Sequence, residues 1–331
     1  MKAYIKAIDY YLPQNELTNN DMVREFPDWT VDKIANKIGI QKRYIAAENE
    51  TASDLAIEAA RKLFTHSIDK STVDYLLFCT QSPDYFLPAS ACIIQDKLGL
   101  SKSIGALDFN QGCSGYIYGL SLAKGLIIAG IARNVLLLTG ETYTKYLHPK
   151  DKGNRTIFGD GASATLISTE GLAEIGDFSL GTDGSGAEKL ILKTGGTRNP
   201  EKSNHVEFDE YGNQFSPDYI YMNGEEIFSF TLSSVPILVN NTLEKNNTDK
   251  SEIDLFVFHQ ANRYMLDFLR KKMKINEEKF YIYLSEVGNT VSSTIPIAIC
   301  DAVKKGVYKS GMKVLISGFG VGLSWGGCLL K

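Results

Sequence analysis

Histidine is scarce in this chain, four residues in 331, and cysteine nearly as scarce, five in all. None of the cysteines forms a Cys-x-x-Cys pair and no histidine cluster accompanies them, so the spacing signals of a metal site are missing. An odd number of cysteines without paired spacing also argues against a disulfide framework and points to a reducing compartment, the cytoplasm. A basic surplus is lacking too: 35 Lys and Arg stand against 39 Asp and Glu, a formal charge of −4, which argues against a general nucleic-acid binder. The first ten residues, Met1 to Tyr10, have neither the long apolar core nor the small-residue cleavage site of a signal peptide. The most apolar run, Tyr116 to Leu138, is broken by Lys124, Arg133 and Asn134, too interrupted for a membrane span. The expectation is a soluble cytoplasmic protein without metal, membrane or nucleic-acid partner.

What is present is the bulk of a globular enzyme. Hydrophobic residues make up 44% and charged residues 22% of 331 positions, enough for a large core and for two domains or one double unit. Short apolar runs at Tyr75 to Thr80, Val135 to Thr139, Leu255 to His259 and Val314 to Ser317 alternate with helix-like stretches, the pattern of a mixed α/β sheet with covered faces. Two segments look alike. Val73-Asp74-Tyr75-Leu76-Leu77-Phe78-Cys79 matches Ile253-Asp254-Leu255-Phe256-Val257-Phe258-His259, and Gly112-Cys113-Ser114 corresponds to Gly288-Asn289-Thr290. So long and divergent a repeat reads as a duplicated β/α unit, with halves at 1–171 and 172–331. Equivalent positions of two packed halves meet near a pseudo-twofold axis, so Cys113 and Asn289 would face each other with His259 at a strand end between them. The segment Asp183 to Tyr221, with Gly184, Gly186, Gly195, Gly196, Pro200, Gly212 and Pro217, reads as long loops that connect elements or cover a site.

Cys113 in Gln111-Gly112-Cys113-Ser114-Gly115-Tyr116, His259 in His259-Gln260-Ala261-Asn262 and Asn289 in Gly288-Asn289-Thr290 make a minimum set for acyl chemistry on sulfur. A free thiol, with a pKa of about 8.5, needs help to act as a nucleophile at neutral pH. The run Tyr116 to Ala129 is apolar nearly all round and reads as a buried helix. Cys113 would open it, its thiolate facing the positive end of the helix dipole. Cys79, Cys92, Cys300 and Cys328, all in apolar runs, read as core.

In such a site the thiolate takes an acyl group while imidazole and amide donate hydrogen bonds to an oxygen that gains negative charge. If that oxygen belongs to a malonyl thioester, His259 and Asn289 stabilise the enolate left by loss of carbon dioxide, which attacks acyl-Cys113. The tetrahedral oxyanion of that step needs two backbone N–H groups, one from Cys113 and one from the glycine-rich run Gly318 to Gly327. The same run invites a dinucleotide-binding reading, but the chain leaves no room for the helix, second strand and ribose-binding acid of that fold before Lys331. Asp160 in Phe158-Gly159-Asp160-Gly161 reads as a turn residue rather than an acid catalyst. Taken singly, His259 could serve local hydrogen bonds and Asn289 a turn or an N-cap; the three together carry more than their parts.

At these residues the sequence resembles the ketoacyl-acyl-carrier-protein synthase III group of the thiolase-like superfamily, over essentially the whole chain. The resemblance includes Asp28-Trp29, Lys37-Ile38-Gly39-Ile40-Gln41-Lys42-Arg43-Tyr44, Glu50-Thr51-Ala52-Ser53-Asp54, His259-Gln260-Ala261-Asn262 and Gly320-Val321-Gly322-Leu323-Ser324-Trp325-Gly326. It implies a five-layered αβαβα fold of two duplicated halves, a homodimer, no permanently bound cofactor, acyl-CoA as substrate and acyl carrier protein as partner. The implied reaction is decarboxylative condensation of an acyl thioester with malonyl carrier protein. Cys113 is then the nucleophile, His259 and Asn289 the decarboxylation site, and the backbones of Cys113 and Val321 the oxyanion hole. Trp29, Lys152 and Gly224 fall in the coenzyme A site, Arg263, Arg270, Lys271 and Lys272 on a basic helix facing the carrier protein, and Leu87 at the acyl pocket.

Several positions depart from the family pattern. Lys152 and Lys33 replace arginines, and an ammonium cannot stack on adenine as a guanidinium does. Glu225 replaces an asparagine near the pantetheine, Val321 a glycine, and Leu87 a bulky phenylalanine. Three other functions fit parts of the pattern: an acyl transferase with a non-malonyl acceptor, a papain-like protease with the same Cys, His, Asn order, and an idle subunit that only holds a carrier protein. Preservation of all three polar residues speaks against the idle subunit, and the duplicated halves against the protease.

Overall fold

Each of the two look-alike strands is led in by an aspartate, and the reason is local. Asp74 Oδ2 accepts from the N–H groups of Arg133 and Asn134 at 2.7 and 2.9 Å. Asp254 Oδ2 accepts from the N–H of Lys313 at 2.8 Å. Each carboxylate thus ties the start of its strand to the start of the next one and sets their parallel register.

The computed structural model describes residues 1–208 and 214–331; Gly212 of the glycine-rich segment lies outside them. Among the described residues the main sheet has ten strands: β1 (Tyr4–Tyr11), β2 (Tyr75–Cys79), β3 (Gly105–Phe109), β4 (Asn134–Glu141), β5 (Gly161–Ser168), β6 (Ala173–Thr182), β7 (Leu255–Phe258), β8 (Phe280–Tyr281), β9 (Val314–Gly320) and β10 (Ser324–Leu330). Their order is β8-β7-β9-β10-β6-β1-β5-β4-β2-β3. Outward from β1 come β5 and β4, antiparallel, then β2 and β3, parallel. Outward from β6 come β10 and β9, antiparallel, then β7 and β8, parallel. The two arcs repeat one topology and touch where β1 pairs with β6.

Six helices complete the layers: α1 (Ala52–Phe64), α2 (Ser90–Leu98), α3 (Gly115–Ile128), α4 (Gly224–Lys245), α5 (Arg263–Lys272) and α6 (Thr294–Lys304). Helices α3 and α6 fill the middle, where Tyr116, Ile117 and Leu120 meet Ile295, Ala298 and Ile299 in one buried cluster with strands of both arcs. Helices α1 and α2 cover the outer face of the first arc, and α4 and α5 that of the second. This is the five-layered αβαβα arrangement of the thiolase-like fold. The face a helix turns to two sheets must be apolar, since each buried Leu or Ile contributes about 1.5–3 kcal/mol and an unpaired polar group there would cost as much; Leu122 and Ile128 of α3 remain exposed.

One expectation needs correction. Cys92 is exposed, on the solvent side of α2, because Ala91, Ile94 and Leu98 supply that helix's inward face. The run Gly318 to Gly327 forms the antiparallel pair β9–β10, with no phosphate-cradling loop and helix. Between β6 and α4, the described residues form a 3-10 turn, Gly184–Lys189, and short pairings such as Leu190–Ile191 with Tyr221–Met222. Leu190 and Ile220 are buried, so this excursion does cover an interior.

Candidate active site

Cys113 precedes Ser114, the residue flanking α3, and so lies just ahead of the helix rather than on it. Ser114 Oγ does not cap the helix; it meets Ser324 Oγ at 2.7 Å and Gln111 Oε1 at 3.3 Å, which ties the cysteine turn to β10. Glycines let β9 pass beneath that turn. A Cβ at Gly318 would lie 2.7 Å from the Cys113 carbonyl oxygen, and one at Gly320 would lie 2.8 Å from Cys113 Sγ, so neither position admits a side chain without displacing the cysteine. Burial pushes the Cys113 thiol up to about 12, against the backbone N–H groups of Val321 and Cys113 itself, which favour the charged sulfur, while Glu141 adds to the rise. The resting nucleophile is therefore a thiol, and not the thiolate expected at a helix start.

His259 follows β7, and its N–H donates to the Ser317 carbonyl at 2.8 Å, which holds the ring at the strand end. Nδ1 lies 2.7 Å from Thr294 Oγ1, and the same hydroxyl lies 3.0 Å from the Val291 carbonyl. Thr294 can donate to Nδ1 or accept from it, so it satisfies either tautomer, and Nε2 has no side-chain or backbone hydrogen bond among the described residues. Burial lowers the imidazole to about 3, so the ring is neutral and works as a hydrogen-bonding group.

Asn289 does two things at once. Its Oδ1 accepts from the Val291 N–H at 2.9 Å, the local turn role that the sequence suggested. Its Nδ2 has only a long contact of 3.4 Å to the Ala261 carbonyl and keeps donor capacity for a ligand. Gly288 before it has φ +71 and its Cα faces Arg43; a Cβ would lie 2.9 Å from Arg43 Cβ. The backbone of Asn289 also bridges to the other half, N–H to the Ile157 carbonyl at 2.9 Å and carbonyl to the Gly159 N–H at 3.0 Å.

Cys113, His259 and Asn289 line one cavity of about 140 Å³, closed by Phe158, Leu190, Ile227 and Phe319, with Gly224 at its wall. Val321, next to Gly320, faces a second cavity of about 270 Å³ with Gln81, Asn110 and Tyr143; Leu190 lines both.

Four residues beneath the site went unnoticed as site residues in the sequence. Glu141, fully buried, accepts from the Gln81 N–H, Ser82 Oγ and Ser292 Oγ, each at 3.0 Å, and burial raises its carboxyl to about 8 against those bonds. Asp160 is not a mere turn residue. It is fully buried and accepts from the N–H groups of Ala46 and Thr144 at 2.8 and 3.0 Å and from Thr144 Oγ1, with burial raising it to about 6. Arg43 is fully buried and donates to Asn19 Oδ1 and the Leu17 and Thr156 carbonyls, forming the floor under Gly159 and Gly288. Thr294 is the fourth. The only local signal was the glycine beside Asn289.

The other candidates lie outside the cavity. Lys152 Nζ is 2.6 Å from Asp28, and Lys33 Nζ stands 5.0 Å over the Trp29 ring. Arg263 pairs with Asp267 at 2.9 Å and Arg270 with Glu277 at 3.3 Å; Lys271 and Lys272 are exposed and form no ion pair among the described residues. Leu87 sits with Tyr85 and Phe86 at an exposed tip, 82% accessible, and does not line either cavity of its own chain.

The family model for 3-oxoacyl-[acyl-carrier-protein] synthase III matches residues 107–184, and the one for the C-terminal part of the same enzyme matches residues 243–331. A beta-ketoacyl-[acyl-carrier-protein] synthase III from Clostridium perfringens is 38% identical over 323 residues, 97% of this chain and 96% of that one. One from Fusobacterium nucleatum is 34% identical, covering 99% of this chain and 98% of its own. A crystal structure of a 3-oxoacyl-(acyl-carrier-protein) synthase III superposes with a TM-score of 0.98 at 51% identity, over 100% of this chain and 99% of that one. The enzyme from Burkholderia xenovorans gives 0.92 at 36% identity, over 100% and 94%. With these matches spanning the full chain, including the Cys113, His259 and Asn289 segments, the protein belongs to the 3-oxoacyl-[acyl-carrier-protein] synthase III family of condensing acyltransferases.

Proposed function

We propose that this chain condenses an acyl thioester with malonyl carrier protein, and that Cys113, His259 and Asn289 carry the reaction. The observation behind the proposal is the convergence of a buried thiol, a neutral imidazole and an amide with a free N–H on one cavity. In the first half-reaction Cys113 attacks the acyl thioester carbonyl, the oxyanion takes the N–H groups of Cys113 and Val321, and coenzyme A or a carrier thiol leaves with the cysteine's proton. In the second, the malonyl thioester oxygen takes hydrogen bonds from His259 Nε2 and Asn289 Nδ2. Carbon dioxide leaves, and the enolate carbon attacks acyl-Cys113, giving 3-oxoacyl carrier protein and the free cysteine. The Nε2–H tautomer this needs is the one in which the Thr294 hydroxyl gives its single proton to Nδ1 instead of to the Val291 carbonyl. The chemistry requires no resident cofactor, since thiol, imidazole, amide and backbone supply every contact.

Acyl-CoA is the proposed donor, with Gly224 at the cavity wall and Trp29 and Lys152 meeting the nucleotide. A nucleotide must then displace Lys33 from Trp29 and compete with Asp28 for Lys152. Carrier protein is the proposed partner of α5, with Lys271 and Lys272 free to meet acidic side chains and Arg263 partly neutralised by Asp267. The exposed tip Tyr85-Phe86-Leu87 supports a homodimer, in which it would cover the partner's acyl pocket. The matching arcs support a division into halves at 1–171 and 172–331, and cytoplasmic localisation fits five free thiols. The test is release of carbon dioxide with formation of 3-oxoacyl carrier protein from acyl-CoA and malonyl carrier protein, lost in Cys113→Ala. Acylation of Cys113 with no carbon–carbon bond formed would favour a non-malonyl acceptor instead.

A further inference from the structure

The second cavity bears on what Cys113 carries. It begins where the cysteine turn ends: a Cβ at Gly112 would lie 2.4 Å from Val321 Cγ1 and 2.6 Å from Gln81 Oε1. For an acyl carbonyl held by the N–H groups of Cys113 and Val321, the second cavity, lined by Val321 and Gln81, is the space offered to its chain on the Val321 side. That end is not apolar. Tyr143, 5% accessible, donates from Oη to Gln81 Oε1 at 2.6 Å, and Gln81 Nε2 donates to Asn110 Oδ1 at 3.0 Å. Tyr143 also packs against Phe158 of the first cavity, ring centroids 5.3 Å apart, so this chain of polar groups is anchored beside the reacting sulfur.

The bonding capacity of the three side chains is not used up. Tyr143 has one hydrogen, spent on Gln81, and retains a lone pair. Gln81 Nε2 has a second hydrogen, and Asn110 Nδ2 two, with no partner among the described residues. Asn110 is exposed, but an alkyl chain laid against buried Tyr143 and half-buried Gln81 would strip water from them and return nothing. An oxygen that donates or accepts would replace that water. A charged end fits poorly, because no lysine or arginine lines the cavity to offset a buried carboxylate.

We propose that the acyl group loaded on Cys113 ends in an uncharged hydrogen-bonding oxygen, a hydroxyl or a ketone, received by Tyr143, Gln81 and Asn110. The proposal rests on Cys113 being the acylated residue of a condensing enzyme. The test is single-turnover acylation of the whole protein by acetyl, butyryl, 3-hydroxybutyryl, 4-hydroxybutyryl and succinyl pantetheine thioesters, followed by intact mass. One of the two hydroxyacyl thioesters should load at least about tenfold faster than butyryl, the discrimination expected of a pocket built to bond a hydroxyl, with succinyl no faster than butyryl. Gln81→Leu and Tyr143→Phe should each bring the ratio of hydroxyacyl to butyryl loading down to about one, with circular dichroism and thermal melting checking that the variants fold. Acetyl, butyryl or succinyl loading as fast as both hydroxyacyl thioesters would overturn the proposal. Rapid hydroxyacyl loading with no carbon dioxide released from malonyl carrier protein would leave it standing and refute the condensing reaction instead.

Discussion

Replacing Asn289 by alanine separates the two half-reactions. In the proposed reaction the amide nitrogen is the donor offered to the enolate oxygen, whereas acylation would use the backbone N–H groups of Cys113 and Val321, which the substitution does not touch. Loss of one preorganised donor to a developing oxyanion costs about 2.7–4 kcal/mol, or roughly a hundred- to thousandfold in rate. Decarboxylation of malonyl carrier protein should fall by that factor, while acylation of Cys113 stays within about threefold. The variant also loses the acceptor for the buried Val291 N–H, now bonded at 2.9 Å, a stability cost of about 1–3 kcal/mol. Rates are therefore compared well below the variant's unfolding midpoint. Acylation is read by intact mass after rapid quenching, and decarboxylation by carbon dioxide released from carboxyl-labelled malonyl carrier protein. A parallel fall of both half-reactions would refute the assignment, because the amide would then be shaping the cysteine site and not serving the enolate.

Alkylation of Cys113 by iodoacetamide should rise about tenfold per pH unit through neutral pH, as expected for a thiol raised by burial to about 12; a plateau below pH 8 would mean that the helix start holds a thiolate after all. Gly318→Ala sets a Cβ 2.7 Å from the Cys113 carbonyl oxygen and 2.9 Å from Ser114 Cα, both backbone, so it should cost about 1–3 kcal/mol in urea unfolding and slow acylation; wild-type stability would show that β9 is not fixed against the cysteine turn. Glu141, raised by burial from 4.5 to about 8, is neutral in the folded chain while the unfolded chain ionises, so stability should fall as pH rises from about 4.5 to 8 and level off above, by about 4–5 kcal/mol in all. Glu141→Gln should flatten that slope in unfolding measurements at several pH values, and an unchanged slope would place its cause elsewhere.

The layered fold was legible because its signals are local or repeated. Apolar strands led by aspartates appear twice, and each aspartate has a visible task, bonding the backbone where the next strand starts. Helix α3 betrayed its position by a nearly continuous apolar run, of which Tyr116, Ile117, Leu120, Ala123 and Ile127 are buried in the middle layer, while Leu122 and Ile128 are exposed. Cys92 was misjudged by the same reasoning: an apolar neighbourhood in sequence does not say which side of α2 a residue occupies when Ala91 and Ile94 already supply the inward face. The family resemblance added the layer count and the coenzyme A contacts, and the structure qualified the latter, since Lys152 and Lys33 already have partners in Asp28 and Trp29.

Within the candidate site, the residues proposed to react were conspicuous in the sequence and their supports were not. Cys113, His259 and Asn289 each sit at a turn or strand end, where a side chain of that chemistry is conspicuous, and the repeat related two of them. Glu141 and Arg43 give no such sign, because their meaning lies in partners far along the chain. Glu141 reaches Ser292 across the two halves while holding Gln81 and Ser82 on its own side. One carboxyl group thus links the turn that carries Asn289 to the residue that begins the second cavity. Under the roles proposed for Asn289 and Gln81, a shift of Glu141 would move both together, so its replacement should disturb condensation and acyl selectivity in one step, which no reading of residues adjacent in sequence could have shown.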